Sequence, residues 1–315
     1  MRRVLLLFNP ASGRRRTQRR HTLEAVAAAL RARNLDVSTQ PTHAPGSAAA
    51  QASDAATAGF DTIFACGGDG TIHEVLQGLA FHPHTSLGII PFGSANALAR
   101  HLHLSLNPLR AALQQLDYQP QTIPLGHVTF QTPTGEASRY FLVMAGAGPD
   151  GALVYNLLSS SKHSLGRLIY YLRAARLFST HHFSAFDVTH TLADTSTTQQ
   201  AISAMSVRVA DLGGLFSPLI RGASIEHPHL TLSLLSNPAR LSLPAWFALS
   251  WTRLHRFNRY AQTLAADTYT CTAGHTARVQ VQADGESLGT TPMTVTLLPN
   301  ALRLLLPTNF PAPSA

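Results

Sequence analysis

The residues of this chain best suited to chemistry lie in the segment IFACGGDGTIHEVLQGL, at positions 63–79. An apolar run ends at two glycines, an aspartate follows, and an amphipathic helix pattern then begins. Because Gly67, Gly68 and Gly70 lack a Cβ, they can take positive φ and let a phosphoryl oxygen approach the backbone. The N–H groups of the following helix would point at that oxygen. The segment predicts a phosphate-binding turn, and a plain strand-to-helix turn that carries Asp69 is the alternative.

A second turn of the same kind occurs in PFGSANALAR, at 91–100, between a predicted strand and a predicted helix. Ser94 is the predicted N-cap of that helix, and Ser94 and Asn96 offer side-chain hydrogen bonds beside the bend. In the first turn, Thr71 is the predicted helix cap, and Glu74 would complete a capping box with it.

Small residues also end the first predicted strand, in the segment NPASG at 9–13, and arginines follow directly at 14–16, 19 and 20. Small residues and guanidinium groups at the carboxyl end of a strand suit a phosphate. The same arginines fit a solvated helix face equally well, so both interpretations stay open.

Two carboxylates flank a glycine far downstream, in the segment VQVQADGE at 279–286. Asp284 or Glu286 could serve as a general base while the other orients a ligand or a metal. The same residues are also typical of a type I′ hairpin turn between two strands.

The elements that must position these residues alternate, in the first third of the chain, between short apolar runs and helical segments. This alternation predicts an α/β domain with a doubly wound, mostly parallel sheet. Ligands of such sheets bind at the carboxyl ends of the strands, where the three turns fall. The predicted strands are 4–8, 62–66 and 87–91, and the predicted helices are 17–33, 46–58, 71–80 and 95–102.

Strand-like runs with alternating threonines dominate from about residue 121 onwards. They predict a β-rich, sandwich-like C-terminal domain with helical insertions at 151–178 and 243–259. We place the two domains at 1–122 and 123–315. The polar segment TLADTSTTQQA, at 191–201, is predicted to be a mobile loop.

Composition narrows the classes of protein. A formal net charge of +8, with only 13% charged residues, favours anionic partners such as acidic lipids or nucleotides, although a general excess of arginine is the alternative. Lys162 is the only lysine, and no G-x-x-x-x-G-K motif precedes it, which excludes a P-loop kinase. Two distant cysteines suit the cytoplasm. No apolar stretch reaches the roughly 20 residues that span a bilayer.

Together, the order and spacing of these segments resemble the diacylglycerol kinase catalytic-domain family, which includes bacterial lipid kinases and sphingosine kinases. The resemblance covers nearly the whole chain. NPASG, GGDGTIHEV and PFGSANALAR are similar to the family's nucleotide loops, and ADGE to the motif that supplies its general base. PTHAPGSA, which contains Thr42, and the segment at 161–178 after a G-x-G-x-D turn also match family segments.

This resemblance implies an enzyme that transfers the γ-phosphoryl group of ATP to the hydroxyl of a diacylglycerol-like lipid, with Mg²⁺ as cofactor. Asp284, Glu286 and Asp69 are the implied catalytic residues, with Asp69 also a metal ligand. Asp150 is a candidate for binding substrate or metal. The implied nucleotide-binding residues are Asn9, Pro10, Ser12, Gly13, Thr42, Gly67, Gly68, Asp69, Gly70, Thr71, Ser94 and Asn96.

One segment departs from the family pattern. Where the family usually shows an Asp-Gly-x-Leu turn that holds a structural magnesium, this chain has EHPHL, at 226–230. Proline cannot supply the backbone freedom of glycine, and histidine is a poor magnesium ligand. The residues therefore do not favour this second metal site.

The implied partner is a lipid at a membrane surface, contacted peripherally from the cytoplasm; a homodimer is compatible with the family, and no nucleic-acid module is present. Aromatic residues and arginines mix at 243–260, which suits a headgroup interface or packing on the β-rich domain. An NAD kinase-like enzyme with a soluble substrate, or a non-catalytic lipid- or nucleotide-binding protein, are the alternative functions. The lipid kinase hypothesis requires the bend at 67–71 and the hairpin near 285 to share one crevice.

Overall fold

The structure is a computed structural model that describes residues 1–10, 16–149, 183–209, 223–236, 261–274, 278–308 and 310. These residues form five helices and fifteen strands. The helices are α1 (Arg16–Arg31), α2 (Ala48–Thr57), α3 (Asp69–Leu79), α4 (Ala97–His101) and α5 (Pro108–Gln114). The strands are β1 (Arg3–Phe8), β2 (Asp36–Pro41), β3 (Thr62–Gly67), β4 (Ser86–Pro91), β5 (Gln119–Thr132), β6 (Gly135–Phe141), β7 (Met144–Ala147), β8 (Phe186–Leu192), β9 (Thr195–Ala201), β10 (Ser203–Val207), β11 (Leu230–Leu235), β12 (Ala261–Ala266), β13 (Thr268–Thr272), β14 (Gln280–Ala283) and β15 (Glu286–Leu306).

The chain divides into two compact units, and the first contains Met1–Leu125 and the segment from Leu298 onwards. Its sheet has the order β2-β1-β3-β4, and all neighbouring strands in this row are parallel. The end of β15 joins the row beside β4, where Leu304 pairs with Leu87. Parallel strands linked by helices confirm the predicted doubly wound α/β fold.

Helices cover this sheet because its inner strands are apolar on both faces. Val4 and Leu6 of β1 pack with Leu23, Val26 and other residues of α1 and α5 in one buried cluster. Since side chains alternate along a strand, the buried Leu5 and Leu7 face the opposite side. The near-continuous burial of β1, β3 and β4 explains why apolar runs predicted these strands correctly.

Two elements of this unit were not predicted. Strand β2 has the sequence DVSTQP and lies at the edge of the sheet, where it pairs with β1, so it lacks an apolar run. Helix α5 is short and begins at Pro108, with Asn107 as its N-cap. The other strands and helices of this unit were predicted from hydrophobic periodicity. Edge strands and short helices carry little of this periodicity, so the sequence does not indicate them.

A buried glutamine of α5's C-cap, Gln115, is hydrogen-bonded to the backbone of β4. Its side-chain oxygen accepts from the N–H of Ile89 at 2.9 Å, and its amide donates to the Ile89 carbonyl at 2.6 Å. The side chain is only 1% exposed. Gln115 thus satisfies two buried backbone groups that water cannot reach.

We expect Gln115→Leu to lower the free energy of unfolding by about 2 to 5 kcal/mol, because it leaves those two groups buried without a partner. Urea denaturation followed by circular dichroism measures the change. Gln18→Leu, on the exposed face of α1, is the control and should change stability by less than about 0.5 kcal/mol. Equal stability of the two variants would contradict this role for Gln115.

The second unit contains Gly126–Ala210 and Leu215–Leu297, and its described elements are all strands. One row has the order β12-β11-β10-β7-β14-β15, and a second runs β9-β8-β13-β15 with β5 and β6 on the other side of β15. Residues from both rows share one apolar core, which includes Ala145, Leu232, Val188 and Val295. The Tyr269 hydroxyl links the rows by donating to the Ala145 carbonyl at 3.2 Å. This arrangement confirms the predicted β-rich C-terminal domain.

The predicted mobile loop at 191–201 is wrong, because these residues belong to the hairpin β8–β9. Ala193 and Asp194 form its two-residue turn, with φ of 45° and 67°. Thr189 and Thr198 share a cross-strand hydrogen bond at 2.9 Å. The strand is polar because it is exposed to solvent, and a polar segment without periodicity predicts a loop from sequence alone.

Candidate functional site

The loops that follow β1, β2, β3 and β4 meet at the carboxyl edge of the parallel sheet. The N–H of Asn9 donates to the Cys66 carbonyl at 3.4 Å, and the N–H of Thr42 donates to the Phe8 carbonyl at 2.8 Å. On the other side, the N–H of Phe92 donates to the Gly67 carbonyl at 2.8 Å. The structure therefore brings together the nucleotide-binding residues predicted in the four loops, as far as these are described.

The turns after β3 and β4 touch backbone to backbone. A Cβ built on Gly93 would lie 2.5 Å from the Cα of Gly68, and one on Gly67 would lie 2.3 Å from the Thr71 hydroxyl. Our expectation of positive φ at Gly67, Gly68 and Gly70 is wrong, since none of the three has it. Glycine is required at 67 and 93 for close approach, because both contacts leave no room for a side chain.

Helix α3 starts two residues earlier than predicted, at Asp69, with Gly68 as its N-cap. The predicted capping box of Thr71 and Glu74 is therefore wrong, and α3 has no side-chain cap. Thr71 instead lies buried in the first turn, against Gly67. The first N–H groups of an uncapped helix have no intrahelical partner and carry the positive end of its dipole, so they suit an anion.

The side chain of Asp69 joins the two turns. Its Oδ1 accepts a hydrogen bond from the N–H of Ala97, the first residue of α4, at 2.8 Å. Asp69 thus lies in the first turn of α3 and also fixes the start of α4. This contact positions one carboxylate at the edge where the loops meet.

Asn96 shapes the turn before α4. Its Oδ1 accepts from the Gly93 N–H at 3.0 Å, its Nδ2 donates to the Gly93 carbonyl at 2.9 Å, and its φ is 50°. Asn96, rather than the predicted Ser94, is the N-cap of α4, and Ser94 is exposed. A short polar side chain that bonds its own turn tolerates the left-handed conformation, which explains the difference.

The acidic hairpin belongs to the second unit, where Asp284 and Gly285 form the two-residue turn between β14 and β15 with φ of 47° and 84°. A hairpin turn is one of the two interpretations that the sequence of this segment allows, and the structure contains that turn. The Asp284 carboxylate accepts three backbone hydrogen bonds, from the N–H groups of Leu142 at 2.9 Å, Val143 at 2.8 Å and Met144 at 2.9 Å. Asp284 therefore fastens the hairpin to residues 142–144.

A buried arginine near this hairpin was missed by the sequence reasoning. Arg208 follows β10 directly and is 1% exposed. Burial lowers its pKa to about 10, and the negative charge of Asp284 opposes that shift. The sequence could have indicated this buried arginine, because Arg208 is the single charged residue in the apolar run SAMSVRVA and the chain has few charged residues.

The described residues contain no group of three or more His, Cys, Asp or Glu that could hold a metal ion. A magnesium ion near Asp69 would thus need phosphate oxygens to complete its coordination, which is how this ion is often bound. The turn at 226–229 does not fit a structural magnesium. Burial lowers the pKa of His227, and the charges of Arg208 and His229 lower it further, which marks a site that disfavours another cation.

Some predicted residues lie outside the described part of the chain. These are Ser12, Gly13 and Asp150, together with the segments 161–178 and 243–260. Among the described residues, no helix is both long enough and apolar enough to cross a membrane.

Comparison with known proteins finds relatives of the first unit. Residues 3–128 match the family model "Diacylglycerol kinase catalytic domain". A diacylglycerol kinase of Bacillus subtilis (strain 168) is 36% identical over 179 residues, which are 56% of each chain, so the match spans about half the length of that relative. A diacylglycerol kinase of Staphylococcus epidermidis (strain ATCC 12228 / FDA PCI 1200) is 24% identical over 97% of this chain and 92% of its own.

Solved structures share the fold of both units. A candidate diacylglycerol kinase from Bacillus anthracis str. Sterne has a TM-score of 0.75 and 21% identity, over 98% of this chain and 96% of that one. Yeast NADH kinase, in complex with NADH, has a TM-score of 0.52 and 10% identity over 97% and 83% of the two chains. At these identities the likeness concerns the fold alone. Residues 3–128, which make up most of the first unit, are therefore similar to the diacylglycerol kinase catalytic domain.

Proposed function

We propose that this protein is an ATP-dependent lipid kinase that transfers the γ-phosphoryl group of ATP to the hydroxyl of a diacylglycerol-like lipid. One observation carries the proposal: within the region that matches the family model, the turns at Gly68 and Gly93 approach backbone to backbone beside the uncapped start of α3. Such a surface of backbone N–H groups without side chains is suited to phosphate. Binding a nucleotide there would leave its terminal phosphate available for transfer.

Phosphoryl transfer depends mainly on positioning and on electrostatic stabilisation of the phosphate oxygens. In our proposal the first-turn N–H groups of α3 bind phosphate, while Asn9 and Thr42 border the nucleotide. Mg²⁺, when bound with the nucleotide, would offset phosphate charge, and we assign Asp69 as the protein residue that would hold it.

We assign the proton acceptor to Glu286. The Asp284 carboxylate already accepts three backbone N–H groups, and protonation would turn one of its acceptor oxygens into a donor facing those groups. Asp284 is thus suited to hold the hairpin, and Glu286, two residues later, to accept the proton of the lipid hydroxyl. A carboxylate is a weak base for an alcohol, so it acts late, as the oxygen becomes more acidic in the transition state.

The lipid would be taken from a membrane surface by peripheral contact in the cytoplasm. A net charge of +8 favours a surface that contains acidic lipid. The fold likeness to yeast NADH kinase makes a soluble dinucleotide the second acceptor to test.

Transfer of ³²P from γ-labelled ATP tests the proposal, with detergent-dispersed diacylglycerol, phosphatidylglycerol, a sphingoid base and undecaprenol as acceptors and NAD in a parallel reaction. We expect Mg²⁺-dependent label in a lipid product, with diacylglycerol the best acceptor. Label only in NADP would make the protein an NAD kinase. Nucleotide binding without transfer to any of these acceptors would make it a binding protein, and either result would overturn the proposal.

A further inference from the structure

Arg208 carries a positive charge into the interior of the second unit. Its backbone N–H donates to the Val143 carbonyl at 2.8 Å, and its guanidinium donates to the Ile225 carbonyl. Burial lowers the pKa of Arg208 only to about 10, so the side chain remains charged at neutral pH. A buried charge is costly and persists where neighbouring groups compensate it.

The backbone of Arg208 and the side chain of Asp284 meet at one peptide segment. Val143 donates its N–H to Asp284 Oδ1 at 2.8 Å and accepts the Arg208 N–H at its carbonyl. Asp284 also donates its own N–H to the Met144 carbonyl at 2.8 Å. Residues 142–144 are therefore held by the carboxylate of Asp284 and by the backbone of Arg208, whose side chain brings a positive charge close enough to interact with that carboxylate.

The guanidinium of Arg208 reaches a third segment through the Ile225 carbonyl, directly before the turn at 226–229. The resemblance would have placed a structural magnesium at this turn, but its residues do not fit one. Glu226 is the acidic residue of this turn, and burial raises its pKa, which weakens it as a ligand for a cation. Arg208 is a buried cation that contacts this part of the unit.

We propose that the guanidinium of Arg208 is a built-in cation that replaces a structural metal ion: from a backbone that pairs with Val143 it reaches the Ile225 carbonyl beside the turn at 226–229, and its charge stabilises the ionised Asp284 that holds the acidic hairpin. Arg208 is a positioning residue that acts through Asp284 on Glu286. The catalytic part of this inference rests on the proposed function, and the structural part does not.

The structural part is tested by thermal unfolding of the full chain in EDTA and in MgCl₂. We expect the same Tm in both for the wild-type protein, and a fall of at least about 5 °C for Arg208→Met in either buffer. Arg208→Lys keeps the charge and should recover part of that loss. The control, Arg139→Met, removes an exposed arginine of the same unit and should leave the Tm unchanged. The inference would be overturned if the Tm of the wild-type protein falls in EDTA. It would also be overturned if Arg208→Met has the same Tm as the wild-type protein.

A double-mutant cycle covers the case in which Arg208→Met does not fold. Arg208→Met combined with Asp284→Asn removes both charges, and we expect it to be more stable than the sum of the single changes predicts. If Arg208→Met alone yields no soluble protein, a folded double variant supports the charge pairing. Strict additivity, or no folding of the double variant, would contradict it.

Kinetics separates positioning from general stability. Among variants folded at the assay temperature, we expect Arg208→Lys to lower kcat while KM for ATP stays constant, since the nucleotide loops belong to the other unit. In Arg208→Met, which removes the charge, the acidic limb of the kcat profile should shift to higher pH, because no cation favours the ionised carboxylates. An unchanged profile with wild-type kcat would remove the catalytic part. If no variant, including the wild type, transfers phosphate, the proposed function fails while the Tm results still decide the structural part.

Discussion

Replacing Glu286 with glutamine is expected to lower kcat for lipid phosphorylation by about 10²- to 10⁴-fold, the range of general acid–base catalysis. Glutamine keeps the size of the side chain but cannot accept the hydroxyl proton. KM for ATP should change little, because Glu286 belongs to the acidic hairpin and not to the loops around α3. Steady-state kinetics with saturating lipid measures both constants.

Glu136→Gln is the matched control, since Glu136 is an exposed acid at the start of β6 in the same unit. It should keep wild-type kcat. Asp284→Asn should lower kcat and also the Tm, because an amide cannot accept the three backbone N–H groups as Asp284 does. Wild-type kcat in Glu286→Gln, with a loss of activity in Asp284→Asn and no loss of stability, would reverse the two roles.

Introducing a methyl group at Gly93 is expected to lower kcat/KM for ATP by about 10²-fold, the effect of a displacement of about 1 Å in a positioned site. The new Cβ would lie 2.5 Å from the Gly68 Cα and 2.7 Å from Asn96 Oδ1, so the turn after β4 must move away from the turn after β3. Fluorescence titration with a labelled ATP analogue reports the binding part of this loss.

Gly274→Ala is the control, because a Cβ at Gly274 meets no atom within 4 Å and its φ is not positive. Its kinetics should match those of the wild type. Should Gly93→Ala bind and turn over ATP normally, close contact between the two turns would not be needed for the nucleotide, and the assignment of the phosphate site to this edge would be wrong.

The parts of the fold that the sequence predicted correctly are those in which burial determines residue type. β1, β3 and β4 are enclosed by helices on both faces, so they are apolar throughout and easy to identify. β2 and the hairpin β8–β9 are exposed along much of their length, and their polar sequences resemble loops. Backbone pairing holds these strands, and it leaves no composition signal.

The sequence predicts the position of the glycines in the candidate site correctly, but it does not predict their backbone conformation. Their spacing indicated a turn, but only the neighbouring turn at Gly93, 25 residues later, reveals that close approach is the requirement at Gly68. Arg208 and Asp284 are 76 residues apart in sequence and meet through Val143. A single sequence records neither contact, because both depend on tertiary packing.

We propose that an ATP bound at the turns of Gly68 and Gly93 delivers its terminal phosphate to a lipid hydroxyl next to Glu286. A crystal structure with a non-hydrolysable ATP analogue and a short-chain diacylglycerol measures this directly. We predict a hydroxyl oxygen about 3 to 3.5 Å from the γ-phosphorus and within about 2.6 to 3.2 Å of the Glu286 carboxylate. A nucleotide bound away from residues 67–71 would contradict this proposal. A lipid hydroxyl that cannot reach both the γ-phosphate of the nucleotide and Glu286 would also contradict it.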